Sequence, residues 1–403
     1  MSGLIRPEPA PARLRAPRGS GVGTDQLRKH NLSAILTLLH HDGGQARSAL
    51  TAQTGLNRST VAALVAELEE HGLAYESEPD PTKQVGRPSP RVNVDQRNVA
   101  FAINPEIDAI TVAAVALGGH VTERTRFETG HPPTAAEAVD IAARLIAELT
   151  AGLPAGHRVL GAGLAVPGLV RAADGLVRLA PHLDWVDEPV AALLAEATGL
   201  HVVAGNDASL GALVEHISGA GRGLRDLVYL NGGPSGIGGG VVLNGQLIGG
   251  ASGYAGEFGH TRAGGTETLE SLVRRADLLD ALGLTTADPD ELERLVLESD
   301  SPALAAIVHR QLAALGAALG DAINILNPQR VVLGGFLAAI LERDPAFLRE
   351  QVAASALGAP AEDAEIVRAH LGSDLLLVGG AELVFARLLA DPAAVAASER
   401  AAG

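Results

Sequence analysis

The chain has 403 residues, which is too long for one ordinary domain, so two or three domains are expected. It contains no cysteine, and this excludes disulfides and any zinc site built on cysteine. The net charge of −16 argues against nucleic-acid binding for the chain as a whole. Residues 1–98, however, carry 12 basic and 10 acidic side chains, against 19 and 37 in the remainder. A mildly basic N-terminal part on an acidic body is the distribution expected of a DNA-binding head attached to a body that does not bind DNA.

Residues 1–23 contain four prolines, four glycines and four arginines, with little apolar periodicity. This composition predicts a disordered tail. No stretch of basic and then apolar residues typical of a signal peptide stands at the start of the chain. We therefore expect a cytoplasmic protein that does not associate with a membrane.

A helical pattern begins at Thr24, and its apolar face follows the i, i+3, i+4, i+7 spacing of Leu32, Ile35, Leu36 and Leu39. Residues 47–54 form a second, short helix. A turn at Gly55 then leads to Asn57, which is suited to cap a third helix by accepting from a backbone amide. The third helix repeats the same spacing with Val61, Leu64, Val65 and Leu68.

This order of helices is typical of a helix-turn-helix, whose last helix enters the major groove of DNA. That helix starts with small polar side chains and continues with alanines on its exposed face, which allows close approach to base edges. Any three-helix packing unit shows a similar pattern. Residues 73–77 and 91–95 alternate like paired strands around a basic loop, which favours a winged helix-turn-helix. The residues predicted to contact DNA are Arg47, Asn57, Arg58, Ser59, Thr60 and, in the wing, Arg87.

After Asn98 the pattern becomes that of an α/β protein. We predict strands at 99–103, 110–117, 121–127, 159–166, 201–204 and 330–333, and helices at 135–150, 189–198 and 301–326. Residues 373–389 are predicted to be a strand-like start followed by a helix. The uncharged run 227–256 is not a membrane span, because polar residues and many glycines interrupt it.

The stretch from Asn231 to Glu270 is the most specific part of the sequence. Its glycine-dense segment, 235–240, is predicted to be a turn that leads into a short strand, 241–243. Asn244-Gly245 predicts a hairpin turn. Gly-Glu-Phe-Gly-His follows at 256–260. The whole pattern resembles the sugar-binding core of the ROK family, which contains bacterial sugar kinases and repressors, and Gly86-Arg87-Pro88 resembles the wing of ROK repressors.

The resemblance covers residues 26 to about 392 and implies an N-terminal winged helix-turn-helix followed by a two-lobed α/β fold of the actin-like sugar-kinase type. The expected division is a tail at 1–23, a DNA-binding domain at 24–97, a first lobe at 98–205 completed by the C-terminal helix, and a second lobe at 206–403. The resemblance also implies that five residues bind the hydroxyls of a sugar: Asn206, Asp207, Glu257, His260 and Glu270. Carboxylates, a carboxamide and an imidazole suit hydroxyls, each of which both donates and accepts.

Two features of the kinases are missing. The family's first phosphate motif, Asp-x-Gly-x-Thr, is replaced by Asn104-Pro105-Glu106, where Pro105 has no N–H and Glu106 would place negative charge against a phosphate. The three cysteines of the family's zinc loop are absent, and one histidine, His260, does not make a zinc site. We expect no catalytic residue, no metal and no cofactor, although Asp207 matches the general base of the kinases.

The sequence therefore predicts a sugar-responsive DNA-binding regulator, most simply a repressor, that is not an enzyme. Its expected partners are double-stranded operator DNA, a sugar or sugar phosphate, and further copies of itself in a homodimer or homotetramer. Two alternatives stay open. One is an active sugar kinase with a DNA-binding head, and the other is a regulator that senses a partner protein while its sugar site is vestigial.

Overall fold

The structure is a computed structural model that describes residues 23–78, 90–262, 265–372 and 374–395. The predicted tail, apart from Gly23, and the predicted wing residue Arg87 lie outside these residues. Within them, the chain forms a small N-terminal head and a larger body that contains two five-stranded sheets.

The head contains three helices and a small antiparallel sheet. Its elements are α1 (Thr24–Asp42), β1 (Gln45–Ala46), α2 (Arg47–Thr54), α3 (Arg58–Glu70), β2 (Ala74–Ser77) and β3 (Arg91–Val94). The sheet order is β1-β3-β2. The apolar positions predicted on α1 and α3 are all buried in one core. The two-residue strand β1 was not predicted, because it is too short to show any periodicity, and it completes the sheet beside β3.

The first sheet of the body contains parallel and antiparallel strands in the order β11-β7-β4-β5-β6. Strand β4 runs parallel to β7 and antiparallel to β5. The elements are β4 (Asn98–Pro105), β5 (Ala109–Ala116), β6 (His120–Glu128), α4 (Ala135–Gly152), β7 (Arg158–Val166), β8 (Leu169–Val170), β9 (Val177–Ala180), β10 (Trp185–Glu188), α5 (Val190–Thr198) and β11 (Val202–Asn206). Strands β8 to β10 form a separate three-stranded sheet beside it.

The second large sheet has the order β14-β13-β12-β15-β16 and packs against a layer of helices. Its part of the chain contains α6 (Asp207–Ser218), β12 (Leu227–Gly233), β13 (Gly236–Leu243), β14 (Gln246–Leu247), α7 (Leu269–Leu272), α8 (Arg275–Leu282), α9 (Pro289–Glu298), α10 (Pro302–Leu326), β15 (Arg330–Gly335), α11 (Phe336–Arg343), α12 (Pro345–Ser355), α13 (Gly358–Asp363), β16 (Glu365–Arg368) and α14 (Leu375–Ala390). Several of its shorter helices were not predicted.

Helix α14 joins the parts of the molecule, since it packs against β4 and β7 of the first sheet, against α6 and against α1 of the head. The approach to β7 is very close. A Cβ on Gly163 would lie 1.9 Å from the carbonyl oxygen of Gly380 in α14. Glycine at both positions is therefore required for this helix to lie directly on the sheet.

The prediction of a glycine-dense turn at 235–240 was wrong, because strand β13 begins at Gly236 and is paired with β12 along this segment. Glycine at these positions allows other parts of the chain to pack closely against both faces of the strand. A Cβ on Gly240 would lie 2.5 Å from the Cβ of Ala212 in α6, and a Cβ on Gly239 would lie 2.7 Å from the carbonyl oxygen of Gly256. The strand is thus held between α6 and the turn that carries Glu257.

Helix α10 is long and apolar enough to cross a membrane by length and composition alone. In this structure it is a core helix. Half of its most apolar segment is buried, and its buried side chains include Leu312, Leu315 and Leu319. Ser301 caps it by accepting from the amide of Leu304, as the sequence predicts.

Candidate functional site

The exposed N-terminal turn of α3 is built around Asn57. Its side-chain oxygen accepts from the amide of Thr60 at 2.8 Å and from the hydroxyl of Ser59 at 2.7 Å. Asn57 therefore has a structural role as the predicted cap, and it fixes the Ser59 side chain. Arg58 stands between them with an exposed side chain and is the freest of the predicted DNA contacts.

The rest of the exposed face of α3 forms a shallow groove lined by Ser59, Thr60, Ala63 and Ala66. Arg28 of α1 and the acidic side chains of Glu67 and Glu70 also line this groove. The small side chains leave room for a base edge or a phosphate. The acidic residues of the helix, Glu67, Glu69 and Glu70, lie in its last turn, away from Arg58. Arg28 pairs with Glu67 at 3.0 Å. Only the N-terminal end of α3 is thus suited to contact DNA, which is where recognition helices make base contacts.

Arg47, also predicted to contact DNA, is paired with Glu76 of strand β2. Its backbone amide donates to the carbonyl of Pro90, beside strand β3. Arg47 therefore ties α2 to the small sheet, and its guanidinium is partly neutralised. Arg87 lies outside the described residues.

The predicted sugar residues begin at the junction of β11 and α6. The side-chain oxygen of Asn206 caps α6 by accepting from the amide of Ser209 at 2.8 Å, and its nitrogen donates to the carbonyl of Gly168 at 3.0 Å. Its side chain is therefore committed to holding the start of α6 in place. The structure gives Asn206 a supporting role for its neighbour Asp207.

Asp207 is the first residue of α6, and one of its carboxylate oxygens accepts from the amide of Ala208 at 2.7 Å. Burial raises the pKa of Asp207, and the nearby charge of Glu257 raises it further, to about 6. A carboxyl group in these surroundings is poised to accept or donate a hydrogen bond near neutral pH. Perturbation of this kind is concentrated at functional sites.

Glu257 and His260 lie on the turn that packs against Gly239 of β13, and both side chains are exposed. Although Glu257 is exposed by surface area, the surrounding protein partly desolvates its carboxylate and raises its pKa. The charge of His260 opposes this rise, and the charge of Glu270 adds to it. The Nδ1 atom of His260 lies 3.8 Å from a carboxylate oxygen of Glu270, the second residue of the short helix α7. The fold thus brings Asp207, Glu257, His260 and Glu270 into one electrostatically coupled cluster.

Strand β13 shapes the floor of this cluster. A Cβ on Gly236 would lie 2.8 Å from a carboxylate oxygen of Glu270, and a Cβ on Gly259 would lie 3.2 Å from the same atom. Three carboxyl groups and an imidazole are a poor site for an anion. They suit a neutral ligand that carries several hydroxyl donors.

The hairpin between β4 and β5 carries Glu106. One oxygen of its carboxylate accepts from the hydroxyl of Thr111 at 2.9 Å and from the amide of Asn104 at 3.4 Å. The other oxygen is paired with Arg126 of β6, which also pairs with Asp108. The hairpin therefore presents a fixed carboxylate where the resemblance places the first phosphate motif.

Among the described residues, the one group of histidine and acidic side chains close enough to hold a metal ion lies away from this cluster. It consists of His40 and His41 at the end of α1 and Glu382 of α14. These residues were not predicted from the sequence. The signal that was available in the sequence is the pair of adjacent histidines in the last turn of α1.

A sequence model of the ROK family matches residues 102–387, and a model of the IclR helix-turn-helix domain matches residues 31–78. A glucokinase of Streptomyces coelicolor is 31% identical over an alignment of 319 positions that covers 71% of this chain and 98% of that protein. A xylose repressor of Bacillus subtilis is 25% identical over an alignment of 382 positions that covers 90% of this chain and 97% of the repressor. The crystal structure of a ROK family transcriptional regulator, a homologue of the Escherichia coli Mlc protein, covers 94% of this chain and all of its own with a TM-score of 0.75 at 21% identity. This last likeness establishes the fold.

Proposed function

The chain belongs to the ROK family, and on that basis we propose that it is a sugar-responsive transcriptional repressor. A single observation carries the proposal. One chain combines a helix-turn-helix head, in which Arg58 is exposed, with a body that retains Asp207, Glu257 and His260. In the same body, Glu106 stands in the place of the family's phosphate motif. The alignment with a xylose repressor takes in the head as well as the body, which supports the same function.

In this proposal the head, 24–97, binds operator DNA through Arg58, Ser59 and Thr60, with Arg47 and Asn57 holding them in place and Arg87 acting from the wing. A first lobe, 98–205, and a second lobe, 206–403, enclose the sugar, and α14 completes the first lobe. The protein works as a homodimer or homotetramer in the cytoplasm, without a metal or cofactor. The sugar must bind one arrangement of the heads better than the other, because otherwise it shifts no equilibrium.

The sugar is held by Asp207, Glu257, His260 and Glu270, with Asn206 acting through the cap of α6. Each of the three carboxyl groups accepts from a hydroxyl, and at Asp207 this hydrogen bond compensates for the burial and for the nearby charge of Glu257, which both raise its pKa. Hydrogen bonds to charged groups of this kind are the strong ones in sugar recognition. The neutral forms of pentoses and hexoses fit this acidic cluster better than their phosphates do.

An active sugar kinase is the second candidate function, and one observation favours it. A pKa of about 6 at Asp207 is suited to a general base that takes the proton of an attacking hydroxyl near neutral pH. The carboxylate of Glu106 opposes this function, because it would repel the transferred phosphate. A third possibility is a regulator that senses a partner protein. This function would give the cluster of carboxyl groups no ligand to bind.

The experiment that tests the proposal is a titration of complexes between the full chain and fragments of its own upstream DNA. D-glucose, D-xylose, N-acetylglucosamine and their phosphates are added separately. We expect salt-dependent binding to one fragment and its release by one sugar. No salt-dependent binding to any fragment would refute the repressor function, and binding that no sugar affects would favour the partner-sensing alternative.

A further inference from the structure

In its described part, the chain passes between the two large sheets at two places. The first crossing is at 206–207, where β11 of the first sheet ends and α6 begins, and α6 packs on β12 and β13 of the second sheet. The second crossing is 369–372, which follows β16 of the second sheet and leads to α14, the helix that packs on β4 and β7 of the first sheet. A movement of one sheet with its helices against the other must therefore be absorbed at these two crossings.

Glu215, near the C-terminal end of α6, joins the two crossings. Its side chain is fully buried, and one carboxylate oxygen accepts from the amides of His370 and Leu371 at 3.0 and 2.9 Å. The other oxygen accepts from the amide of Ala220, just beyond the end of α6, at 2.6 Å. The carboxylate thus holds the end of α6 and the second crossing in one hydrogen-bonded unit.

A carboxylate suits this place because all three partners are N–H groups, and an ionised carboxylate accepts at both oxygens without offering a proton of its own. The local sequence also leaves room for it. A Cβ on Gly219 would lie 2.1 Å from one oxygen of Glu215, so a larger residue at 219 would push the carboxylate out of its place. A buried charge held by neutral amides costs free energy that a buried apolar side chain would not cost, and this points to a role beyond packing.

The packing of α6 on α14 does not by itself fix their relative position along their axes. A Cβ on Gly379 would lie 2.8 Å from the Cβ of Leu210, so glycine lets α14 lie directly on α6. Helices packed in this way can slide past each other by small amounts, which is the shear motion of domain closure. Hydrogen bonds weaken steeply when their geometry is distorted. The bonds of Glu215 therefore set the axial position of α6 relative to the start of α14.

The head is fixed to α14. Leu36 of α1 and Phe385 of α14 belong to the same buried core. The ammonium group of Lys29 on α1 also pairs with Asp391, directly after α14, at 2.6 Å. A displacement of α14 therefore moves the head with it.

The opposite end of α6 carries Asp207, which precedes Glu215 by about 12 Å along the helix axis. We propose that Glu215 is a positioning residue for the response to sugar: it holds α6 to the second crossing, so that a shift of α6 on sugar binding at Asp207 displaces α14 and the head. The inference rests on the proposed function, because it requires a sugar at Asp207 and operator DNA on the head. The sugar shifts the equilibrium only if it binds one position of α6 more tightly than the other.

The first test uses neither sugar nor DNA, so its result does not depend on the proposed function. Because the chain contains no cysteine, nitroxide labels can be attached at Gln53→Cys on α2 and Glu350→Cys on α12, which are exposed positions in the head and in the helix layer of the second sheet. Pulsed electron paramagnetic resonance measures the distribution of distances between the labels. With Glu215 intact we expect one narrow peak. In Glu215→Gln the distribution should be about twice as wide, because an amide N–H₂ replaces an acceptor and the second crossing loosens.

Glu365→Gln is the matched control. It makes the same chemical change at an exposed carboxylate of β16, shortly before the second crossing, where Glu365 pairs with Arg330. The distance distribution of this variant should stay narrow, since an exposed ion pair contributes little to stability. Equal widths in Glu215→Gln and in the labelled chain with Glu215 intact would overturn the inference.

The second test measures how strongly the sugar acts on DNA binding. Operator affinity of the full chain is measured by fluorescence anisotropy with and without D-glucose, D-xylose or N-acetylglucosamine, and sugar affinity without DNA by calorimetry. The sugar that releases the wild type should lower its operator affinity about 5- to 150-fold. In Glu215→Gln this factor should fall to about 1, while operator affinity without sugar and sugar affinity without DNA stay within about threefold of the wild type. A residue that only supports the fold would lower the two separate affinities instead.

An unchanged factor in Glu215→Gln would overturn the inference. A wild type that responds to none of the three sugars would refute the proposed function, and the distance measurement would then decide on the role of Glu215 alone. If Glu215→Gln does not fold, amide hydrogen exchange of the wild type decides. The amides of His370 and Leu371 lie outside the helices and strands, and they should exchange about ten- to a hundredfold more slowly than unbonded loop amides. Exchange at the unbonded rate would show that they are not held by Glu215 and would overturn the inference.

Discussion

The hydroxyl of Thr111 donates to the carboxylate of Glu106 at 2.9 Å, and this bond fixes a negative charge at the hairpin between β4 and β5. Arg126 pairs with the second oxygen of the same carboxylate. The carboxylate is therefore held by a hydrogen bond and an ion pair, and it would not rotate away to make room for a phosphate. Moving it would leave the guanidinium of Arg126 with fewer partners.

The first prediction concerns this hairpin. With ATP, magnesium and either D-glucose or D-xylose, the chain should form no sugar phosphate above the rate without protein, because Glu106 repels the phosphates and Pro105 offers no amide. Coupled assays and mass spectrometry of the sugar provide the measurement. Turnover that disappears in Asp207→Asn would contradict the prediction and establish the kinase function.

The second prediction concerns the head. Arg58→Ala should weaken binding to the operator about ten- to a hundredfold and reduce discrimination against unrelated DNA, since one good base contact contributes roughly 1–3 kcal/mol. Fluorescence anisotropy at several salt concentrations measures both effects. Arg294→Ala is the control, because Arg294 is an exposed arginine on α9 of the body, paired within its own helix. Equal losses in the two variants would show that the effect is nonspecific.

The third prediction concerns the sugar cluster. Glu257→Ala should reduce sugar affinity about ten- to a hundredfold, because a hydrogen bond to a charged group is worth roughly 1.5–3 kcal/mol. Operator binding without sugar should be unchanged. Calorimetry with the sugar that releases the operator measures the loss. Glu267→Ala, an exposed acidic residue ten positions further along the chain, should bind the sugar normally. Wild-type affinity in Glu257→Ala would show that the cluster is a structural remnant.

The sequence was informative wherever one local pattern decided the structure. The periodicity of Leu32 to Leu39 predicted α1, and the cap at Asn57 predicted the start of α3, because both depend on neighbours within a few residues. The family resemblance then predicted a two-lobed α/β body after the head. The fold that these patterns predicted is confirmed.

The structure added what depends on distant neighbours. Gly238 and Gly240 look like turn residues in the sequence, and only the approach of α6 explains why a strand needs them. Nothing near Asn206 in sequence shows that its amide is already bonded to Gly168, 38 positions away. The pairing of His40 with Glu382 spans 342 positions and lies beyond any reading of local pattern.

The last prediction concerns Asp207, whose replacement by asparagine should increase stability and weaken sugar binding. The folded protein raises the pKa of Asp207 from 3.8 to about 6, so between these values the folded state binds more protons than the unfolded state. The free energy of unfolding due to this group therefore falls as pH rises from about 4 to about 6. At pH 7 the full cost is present, and it is at most about 3 kcal/mol for a shift of this size.

Asp207→Asn removes that cost and still allows its side-chain oxygen to accept from the amide of Ala208. The free energy of unfolding of the variant, measured by urea denaturation, should be higher than that of the wild type at pH 7. At pH 3.5 the two values should be the same. It should also bind the sugar more weakly, because an amide accepts less strongly than a carboxylate. Asp140→Asn, an exposed change on α4, should alter neither quantity. Greater stability together with weaker binding is the behaviour of a residue kept for function, whereas an Asp207→Asn variant that is less stable at pH 7 would show that the charge of Asp207 supports the fold.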